Sequence, residues 1–360
     1  MTTIRCVCLG LLAVALLAQQ PETSDQVFRA TVNVVSAPVT VTDHEGRYVH
    51  GLQPENFRLL DNAKPQDIKV DVSFVPISLV VAIQTSWATQ AVLPKIQKIA
   101  PLLQGLVVGE QGEVAIISFA HRVDVVQDFT SDSDNISKAI NSLKIGASSN
   151  RMIDATQTAI RMLARRPPDH RRVLLLISET RDNGSEGRAR DALTSAQLAN
   201  VLIYTVNINR MMTTFTAKTQ PPRPDPVPPS ARPLPAGVPP TPEAARQVSG
   251  LEGSSASFLP LFVEIFRQAK SVFVDNPAEV FTEFTGGREY AFTRERDLEN
   301  AISRIGEELH SQYLVSYMPN NKMEAGFHEI QVQIFGSSGN VRRDLKIQTR
   351  PGYWLAAVPD

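Results

Sequence analysis

Residues 77–90, ISLVVAIQTSWATQ, join a continuous apolar run to an abrupt polar end. The apolar residues Leu79–Ile83 predict a strand covered on both faces, because a half-exposed strand would alternate polar and apolar positions. The polar stretch Gln84–Ser86 follows, and then Trp87. In α/β proteins, ligands and metals usually bind where such strands end and the chain turns into a helix. This strand end is therefore the first candidate site.

Downstream of this strand, strand and helix patterns alternate. Strand patterns lie at residues 112–121, 122–129, 171–179, 201–208 and 313–319, and helical patterns at 92–106, 135–144, 151–166, 187–200, 277–287 and 296–312. Only a turn joins the first two of these strands, which predicts antiparallel pairing, and Pro101 predicts a break in the first helix. The alternation predicts an α/β fold over residues 76–319, with a doubly wound, mostly parallel sheet and helices on both faces.

Short strand patterns flank this α/β unit on both sides. Residues 27–75 contain β-branched clusters separated by turn signals, and residues 326–354 contain two alternating runs around the turn GSSGN at 336–340. We expect the second segment to form a β-hairpin. Because an isolated hairpin is marginally stable in water, we expect it to pack with the N-terminal segment into one small β module.

Residues 1–18 have the pattern of a secretory signal peptide. A short positive start, MTTIR, precedes the apolar run CVCLGLLAVALLA, and polar residues follow Ala18. The run is shorter than the ~20 apolar residues that span a bilayer; a buried first helix is the alternative. Cleavage would remove both cysteines, Cys6 and Cys8, so we expect no disulfide and no cysteine nucleophile. The sequence thus predicts a periplasmic or secreted protein without a membrane span after cleavage.

A proline-rich insertion interrupts the α/β pattern at about residues 219–243. Half of the residues between Pro221 and Pro242 are proline, which disfavours helix and sheet and favours an extended or disordered segment. Such a segment is a docking ligand for a proline-binding domain, a spacer, or a tolerated surface insertion.

Charge and motif content argue against a nucleic-acid-binding protein and against an enzyme. The 36 lysines and arginines balance 37 aspartates and glutamates, so the basic excess that nucleic acid requires is missing. The six histidines form no zinc-binding pair of the His-x-x-x-His type, and the sequence has neither a Gly-x-Ser-x-Gly elbow nor a Walker loop. The remaining hydrolase hypothesis uses His121 as a base for Ser86; an exposed histidine at a turn is the simpler interpretation.

The order of elements from about Ile77 to Pro319 resembles the von Willebrand factor A-type fold. Five phrases also resemble von Willebrand-related proteins abundant in acidobacteria: VTDHEGRYVHGLQPENFRLLDN (41–62), ISETRDNGS (177–185), FTEFTGGREY (281–290), SQYLVSYMP (311–319) and RPGYW (350–354). The resemblance implies this fold. In the family's usual form it also implies a divalent cation at the carboxyl edge of the sheet, the metal-ion-dependent adhesion site.

The family's metal ligands are Asp-x-Ser-x-Ser after the first core strand, a Thr from a later loop and an Asp after the fourth strand. The resemblance places these five positions on Gln84, Ser86, Ala88, Asn150 and Glu179. Only Ser86 keeps its residue, and Mg²⁺ usually requires one or two carboxylates among six oxygen ligands. We therefore expect a degenerate site and no cofactor; the alternative is a weakly bound Mg²⁺, Mn²⁺ or Ca²⁺. Ser149 would replace Asn150 only if its loop shifts, and Asp182 would contribute only if its loop folds inward.

The same edge of the sheet is the expected partner-binding face. Its residues are Gln84, Thr85, Ser86, Trp87, Ser149, Asn150, Arg151, Glu179, Arg181 and Asp182. Trp87 stands at a position where the family normally has a small residue. It serves either as a binding hot spot or as packing over the vacated metal cavity. These features predict a secreted, non-enzymatic, adhesion-type protein-interaction module whose partner is another protein. The alternative is a cation-dependent adhesion or ligand receptor, and a hydrolase is the least favoured function.

Overall fold

The computed structural model describes residues 34–71, 75–103, 105, 109, 111–208, 276–292, 294–320, 326–336 and 339–355. The predicted signal peptide and the proline-rich insertion lie outside these residues. Among the described residues, no helix is both long enough and apolar enough to cross a membrane.

The described strands and helices follow the predicted alternation, except that strand β10 was not predicted. The strands are β1 Val35–Thr42, β2 Phe57–Asp61, β3 Lys64–Pro65, β4 Ile68–Asp71, β5 Ile77–Gln84, β6 Glu113–Phe119, β7 Val123–Thr130, β8 Arg171–Ser178, β9 Val201–Ile208, β10 Glu289–Phe292, β11 Tyr313–Tyr317, β12 Gly326–Ile334, β13 Lys346–Gln348 and β14 Gly352–Leu355. The helices are α1 Leu93–Gln97, α2 Ala100–Leu102, α3 Ser133–Asn141, α4 Met152–Ala164, α5 Ala189–Leu198, α6 Pro277–Thr285 and α7 Glu295–Ser311.

A six-stranded sheet in the order β10-β9-β8-β5-β6-β7 forms the centre of the α/β unit. Neighbouring strands are parallel except β7, which runs antiparallel to β6 as predicted. The apolar run of β5 is buried along its whole length because helices cover both faces. Leu79 and Val81 pack towards α1, α2, α3 and α7, whereas Val80 and Ala82 pack towards α4, α5 and α6. The predicted doubly wound sheet is confirmed.

Proline and glycine set two of the helix ends that the sequence indicated. The first predicted helix is divided into α1 and α2, because Pro101 has no N–H to donate to the carbonyl of Gln97, the last residue of α1. Helix α6 ends where Gly286 adopts a left-handed conformation with φ 89°. The N–H groups of Gly286 and Gly287 both donate to the carbonyl of Thr282 at 3.0 Å, which closes the turn.

The N- and C-terminal segments build two four-stranded antiparallel sheets, in the orders β13-β1-β11-β4 and β14-β12-β2-β3. They share one apolar core, to which β1, β2, β11 and β12 contribute most of the buried side chains. The prediction of a β module built from both ends of the chain is confirmed.

Two predicted details of this module are wrong. The segment 326–354 is not a hairpin, because β12 pairs with β2 and β14 while β13 pairs with β1 in the other sheet. Among the described residues, the two arms of the predicted hairpin meet only next to the turn, at the bridge between Phe335 and Val341 and where the N–H of Arg342 donates to the carbonyl of Ile334 at 2.8 Å. Strand β11, predicted as the last strand of the α/β unit, instead lies between β1 and β4. The alternating burial of Tyr313, Val315 and Tyr317 points these side chains into the core of the β module.

Candidate functional site

The loop after β5 is held rigidly at the carboxyl edge of the central sheet. The N–H of Thr85 donates to the carbonyl of Phe119 at 2.8 Å, and the carbonyl of Thr85 accepts from the N–H of Gly146 at 2.7 Å. Trp87–Thr89 then form one turn of 3₁₀ helix. The hydroxyl of Thr89 donates to the carbonyl oxygens of Gln84 and Ser86 at 3.1 and 2.8 Å, so the turn is tied back to the strand.

The side-chain amide of Gln84 is completely buried at the centre of this edge. Its Oε1 accepts from the N–H of Glu179 at 2.7 Å and from Nδ2 of Asn150 at 3.2 Å. Its Nε2 donates to Oγ of Ser86 at 2.7 Å and to the Glu179 carboxylate at 3.2 Å. The orientation of the amide is determined, because a backbone N–H can only donate and must therefore face Oε1. One neutral amide thus joins three of the other ligand positions expected from the family.

Asn150 joins this amide to the loop after β8. Its Nδ2 also donates to the carbonyl of Arg181 at 2.8 Å, and its backbone N–H donates to Oδ1 of Asn183 at 2.6 Å. Its carbonyl accepts from the N–H groups of Asn183 and Gly184, each at 3.1 Å. Asn150 is 2% exposed, so it shapes the edge from beneath the surface.

Asp182 has a structural role at the start of helix α4. Its carboxylate accepts from the backbone N–H of Ile153 at 2.8 Å, and from the N–H and hydroxyl of Ser185 at 3.0 and 2.6 Å. Ser185 in turn accepts from the N–H of Asp154 at 3.1 Å. Because Arg151, the cap residue of α4, makes no side-chain cap hydrogen bond, the loop after β8 supplies the cap instead. The described contacts of Asp182 therefore belong to the helix end and not to the Gln84 amide.

Arg151 extends the connection between helix α4 and the same loop. Its guanidinium forms ion pairs with Asp154 at 2.9 Å and Glu186 at 2.6 Å. The hydrogen bond to Glu186 is the main reason that the pKa of Arg151 is raised. Asp154 also accepts from the N–H groups of Glu186 and Gly187 at 3.1 and 2.8 Å.

The ten residues of the predicted partner-binding face fall into three groups by exposure. Gln84, Thr85, Ser86 and Asn150 are buried; Trp87, Ser149, Arg151, Glu179 and Asp182 are half-buried; and Arg181 is exposed. A partner would therefore meet Trp87, Glu179 and Arg181, and the buried residues would hold them in place. Ala88, the remaining one of the five expected metal-ligand positions, is half-buried and its methyl group carries no donor atom.

The geometry does not assemble the hydrolase pair. The Ser86 hydroxyl oxygen accepts from Gln84, and His121 is an exposed residue in the turn between β6 and β7. No hydrogen bond joins Ser86 to His121 among the described contacts. The described part of the chain also contains no group of three or more His, Cys, Asp or Glu residues suited to a metal ion.

A groove beside the candidate edge was missed by the sequence reasoning. It has a volume of about 520 Å³ and is lined by Thr85, the β6–β7 turn with His121 and Arg122, and the loop before α4 with Lys144 and Gly146. These segments are distant in the sequence and carry no shared motif. The antiparallel β6–β7 turn was the one available signal, since it projects beyond the sheet edge.

Comparison with known proteins agrees with this architecture. A family model described as the von Willebrand factor type A domain matches residues 87–182. This chain contains a von Willebrand factor type A domain. The predicted von Willebrand A fold is thereby confirmed. Domains of this family are in general non-catalytic modules that mediate protein–protein interactions. No curated protein matches the chain significantly.

Solved structures similar to this chain include three bacterial proteins. An aerotolerance-related membrane protein from Bacteroides fragilis is 15% identical over 64% of this chain and 99% of its own, with a TM-score of 0.40. BatB from Bacteroides thetaiotaomicron, a conserved hypothetical protein, is 15% identical over 65% and 98%, with a TM-score of 0.39. The vWF domain of the type V pili tip protein Mfa5 from Porphyromonas gingivalis is 18% identical over 31% and 40%, with a TM-score of 0.27.

Proposed function

We propose that this von Willebrand A protein is an exported, non-enzymatic interaction module that binds a protein partner at the carboxyl edge of its sheet without a metal ion. The observation that carries the proposal is the Gln84 amide. It stands at the position where the family resemblance expects a carboxylate, and its hydrogen bonds hold together the side chains that would otherwise ligate a cation.

The chemistry of these side chains does not fit Mg²⁺. The Nε2 group of Gln84 directs its N–H bonds at the Ser86 hydroxyl oxygen and the Glu179 carboxylate, and a cation would need those oxygen atoms. The Gln84 oxygen is already used by the backbone N–H of Glu179. Glu179 is the one carboxylate among the five positions, whereas Mg²⁺ favours a near-octahedral set of oxygens with carboxylates among them.

The surface above this amide has the composition of a binding site. Trp87 is half-buried at the tip of the β5 loop, and Arg181 is exposed on the β8 loop, with Glu179 beside the strand end. Tryptophan and arginine are enriched among residues that dominate protein-binding energy. Because Thr89 and Asn150 hold both loops, little conformational entropy would be lost when a partner binds.

Calorimetric titration with Mg²⁺, Mn²⁺ and Ca²⁺ tests the metal-independent part of the proposal. We expect no detectable heat of binding up to millimolar metal, for the parent protein and for Glu179→Ala alike. Micromolar binding that Glu179→Ala abolishes would overturn the proposal and favour the cation-dependent adhesion receptor.

Capture of the protein partner in the presence of a metal chelator tests whether binding uses the surface that carries Trp87 and Arg181. Trp87→Ala and Arg181→Glu should each weaken the captured interaction at least tenfold, the loss typical of hot-spot residues. Leu198→Ala is the matched control, because Leu198 is 60% exposed at the end of α5, away from this edge. Equal loss for all three variants would show that the binding does not use this edge.

Export rests on residues 1–18, which have the pattern of a signal peptide. Cell fractionation of the parent and of a variant lacking residues 2–18 tests it. The parent should be found outside the cytoplasmic membrane and the deletion variant in the cytoplasm. Retention of both in the cytoplasm would contradict this part of the proposal.

A further inference from the structure

A second cavity lies at the opposite edge of the central sheet from Gln84. It opens where β8 and β9 begin, between the α/β unit and strands β1 and β11 of the β module, and its volume is about 310 Å³. Thr285 at the end of α6 and Arg350 close it. The described residues that line it include arginine and histidine but no aspartate or glutamate.

Positive charge is therefore concentrated on this cleft. Arg171 and Arg172, the first residues of β8, both line it, and their side chains donate to main-chain carbonyl oxygens. Carbonyl groups satisfy N–H donors but leave a full positive charge in place. Burial lowers the pKa of both arginines, as expected for cations removed from water, although Tyr204 and the Asp71 carboxylate oppose the shift at Arg171.

Arg350 is the most isolated of these cations. It is 3% exposed, and its Nε has no hydrogen-bond partner among the described residues. Its guanidinium carbon lies 5.7 Å from the centre of the Tyr353 ring, and the hydroxyl group of Tyr353 donates to the Asp61 carboxylate at 2.8 Å. Burial lowers the pKa of Arg350 to about 10, so the side chain stays protonated at neutral pH. Among the described residues Arg350 forms no direct ion pair, and a buried cation without one is costly, which indicates that an anion completes the site.

The other walls indicate what kind of anion fits. Val34, Pro38, Val201 and Leu314 give the cleft a largely apolar lining. We propose that this cleft binds a small organic carboxylate, with its carboxyl group on Arg350 and a short hydrocarbon body against the apolar walls. The planar guanidinium matches a carboxylate through two parallel hydrogen bonds. This site is distinct from the partner-binding edge, and it neither requires nor supports the proposed function there.

Titration of the purified protein with hexanoate, hexan-1-ol and inorganic phosphate tests the proposal by calorimetry. Hexanoate should bind at least tenfold more tightly than hexan-1-ol, which has the same hydrocarbon body without the charge. It should also bind more tightly than phosphate, which lacks the apolar body. Equal binding of hexanoate and the alcohol, stronger binding of phosphate, or no binding of any probe up to 10 mM would overturn the proposal.

Substitution of Arg350 tests whether its guanidinium group binds the carboxylate of hexanoate. Arg350→Met should weaken hexanoate binding at least tenfold without lowering the denaturation midpoint, since it removes an unneutralised charge from the interior. Arg350→Lys should retain part of the affinity. Arg342→Met is the control, because Arg342 is a partly exposed residue paired with Asp344 outside the cleft. Unchanged affinity in Arg350→Met would contradict the assignment, and the comparison of probes on the parent protein stands even if that variant does not fold.

Discussion

Nδ1 of His328 lies 2.6 Å from the Asp61 carboxylate, and both side chains are completely buried in the β module. The same carboxylate accepts hydrogen bonds from Tyr317 and Tyr353 at 2.9 and 2.8 Å. Burial, and to a lesser degree proximity to Asp61, raises the pKa of the two phenols. One carboxylate thus joins strands β2, β11, β12 and β14, which belong to two different sheets.

Asp61→Ala should destabilise the protein by roughly 3–5 kcal/mol, because it leaves three buried donors without their acceptor. Chemical denaturation of the parent and the variant measures the loss. Asp124→Ala is the matched control: Asp124 pairs with Arg122 at 2.7 Å, but both side chains are about half exposed or more. If Asp124→Ala lowered the free energy of unfolding as much as Asp61→Ala, the buried cluster around Asp61 would contribute no more to stability than an exposed ion pair.

Gln84→Glu should convert the candidate edge into a metal-responsive one. The change replaces a donor by a second carboxylate beside Glu179, so without metal we expect a loss of about 2 kcal/mol. Mn²⁺ should then raise the melting temperature of the variant and leave that of the parent unchanged. Thermal unfolding with and without Mn²⁺ is the measurement.

The double variant Gln84→Glu/Glu179→Gln is the control for this prediction. It again places one carboxylate and one amide at the edge, so the repulsion and the metal response should both disappear. A parent protein that responds to Mn²⁺ as strongly as Gln84→Glu would show that the amide does not exclude the cation.

The sequence predicted five of the six strands of the central sheet, β5 to β9, because the information for them is local. The unbroken apolar run of β5 requires two covering layers, and Pro101 and Gly286 each determine a helix end through their own backbone. Pairing in the β module is not local. Strands such as β11 and β12 are short and alternating, and that pattern suits several neighbours equally well. Their partners are selected by the shared core and by Asp61.

The candidate site shows the same difference between local features, which the sequence reveals, and non-local contacts, which it does not. The residues at the expected metal-ligand positions could be read from the sequence, and so could the loss of carboxylates. The hydrogen bonds of Gln84 and Asn150 could not, because two of their partners are the backbone N–H of Glu179 and the carbonyl of Arg181. Arg350 belonged to the recognised phrase RPGYW, but nothing in that phrase indicates a cleft.

The buried carboxyl group of Glu308 should make the stability of the folded protein depend on pH. It is completely buried, forms an ion pair with Arg288 at 2.7 Å and accepts a hydrogen bond from Gln312 at 3.2 Å. Burial raises its pKa above 4.5, although Arg288 opposes the shift. Within the window between 4.5 and the raised value, the folded protein keeps a proton that the unfolded chain has lost. Stability should therefore fall as the pH rises through this window.

Glu308→Gln should remove this contribution, so its stability relative to the parent should increase as the pH rises from 4.5. Denaturation curves of both proteins between pH 4 and 8 measure the difference. Glu307→Gln, an exposed neighbour on the same helix, should leave the pH dependence of the parent unchanged. Parallel curves for the parent and Glu308→Gln would contradict the prediction.

Asp182→Ala should loosen the loop after β8 as well as helix α4. The cap from a separate loop is lost, which costs about 1–2 kcal/mol, and amide hydrogen exchange should accelerate over residues 179–187. Asp132→Ala is the control, because Asp132 caps helix α3 through the N–H groups of Asp134 and Asn135. It should cost a similar amount without changing exchange in the 179–187 loop. Unchanged exchange there in Asp182→Ala would mean that other contacts hold the loop.

Gly287→Ala should destabilise the protein by about 3 kcal/mol, because a Cβ at this position would overlap the carbonyl oxygen of Ile203 on β9. The same close approach lets the N–H of Thr205 donate to the carbonyl of Arg288 at 3.0 Å, which starts the pairing of β10. Gly286→Ala should cost less, about 1–2 kcal/mol, since it places an alanine at positive φ but its Cβ would lie 3.1 Å from the nearest backbone atom, the nitrogen of Arg350. Gly105→Ala faces open space and is the control. Equal denaturation midpoints for Gly287→Ala and Gly105→Ala would show that the backbone of β9 can shift to accommodate a side chain at position 287.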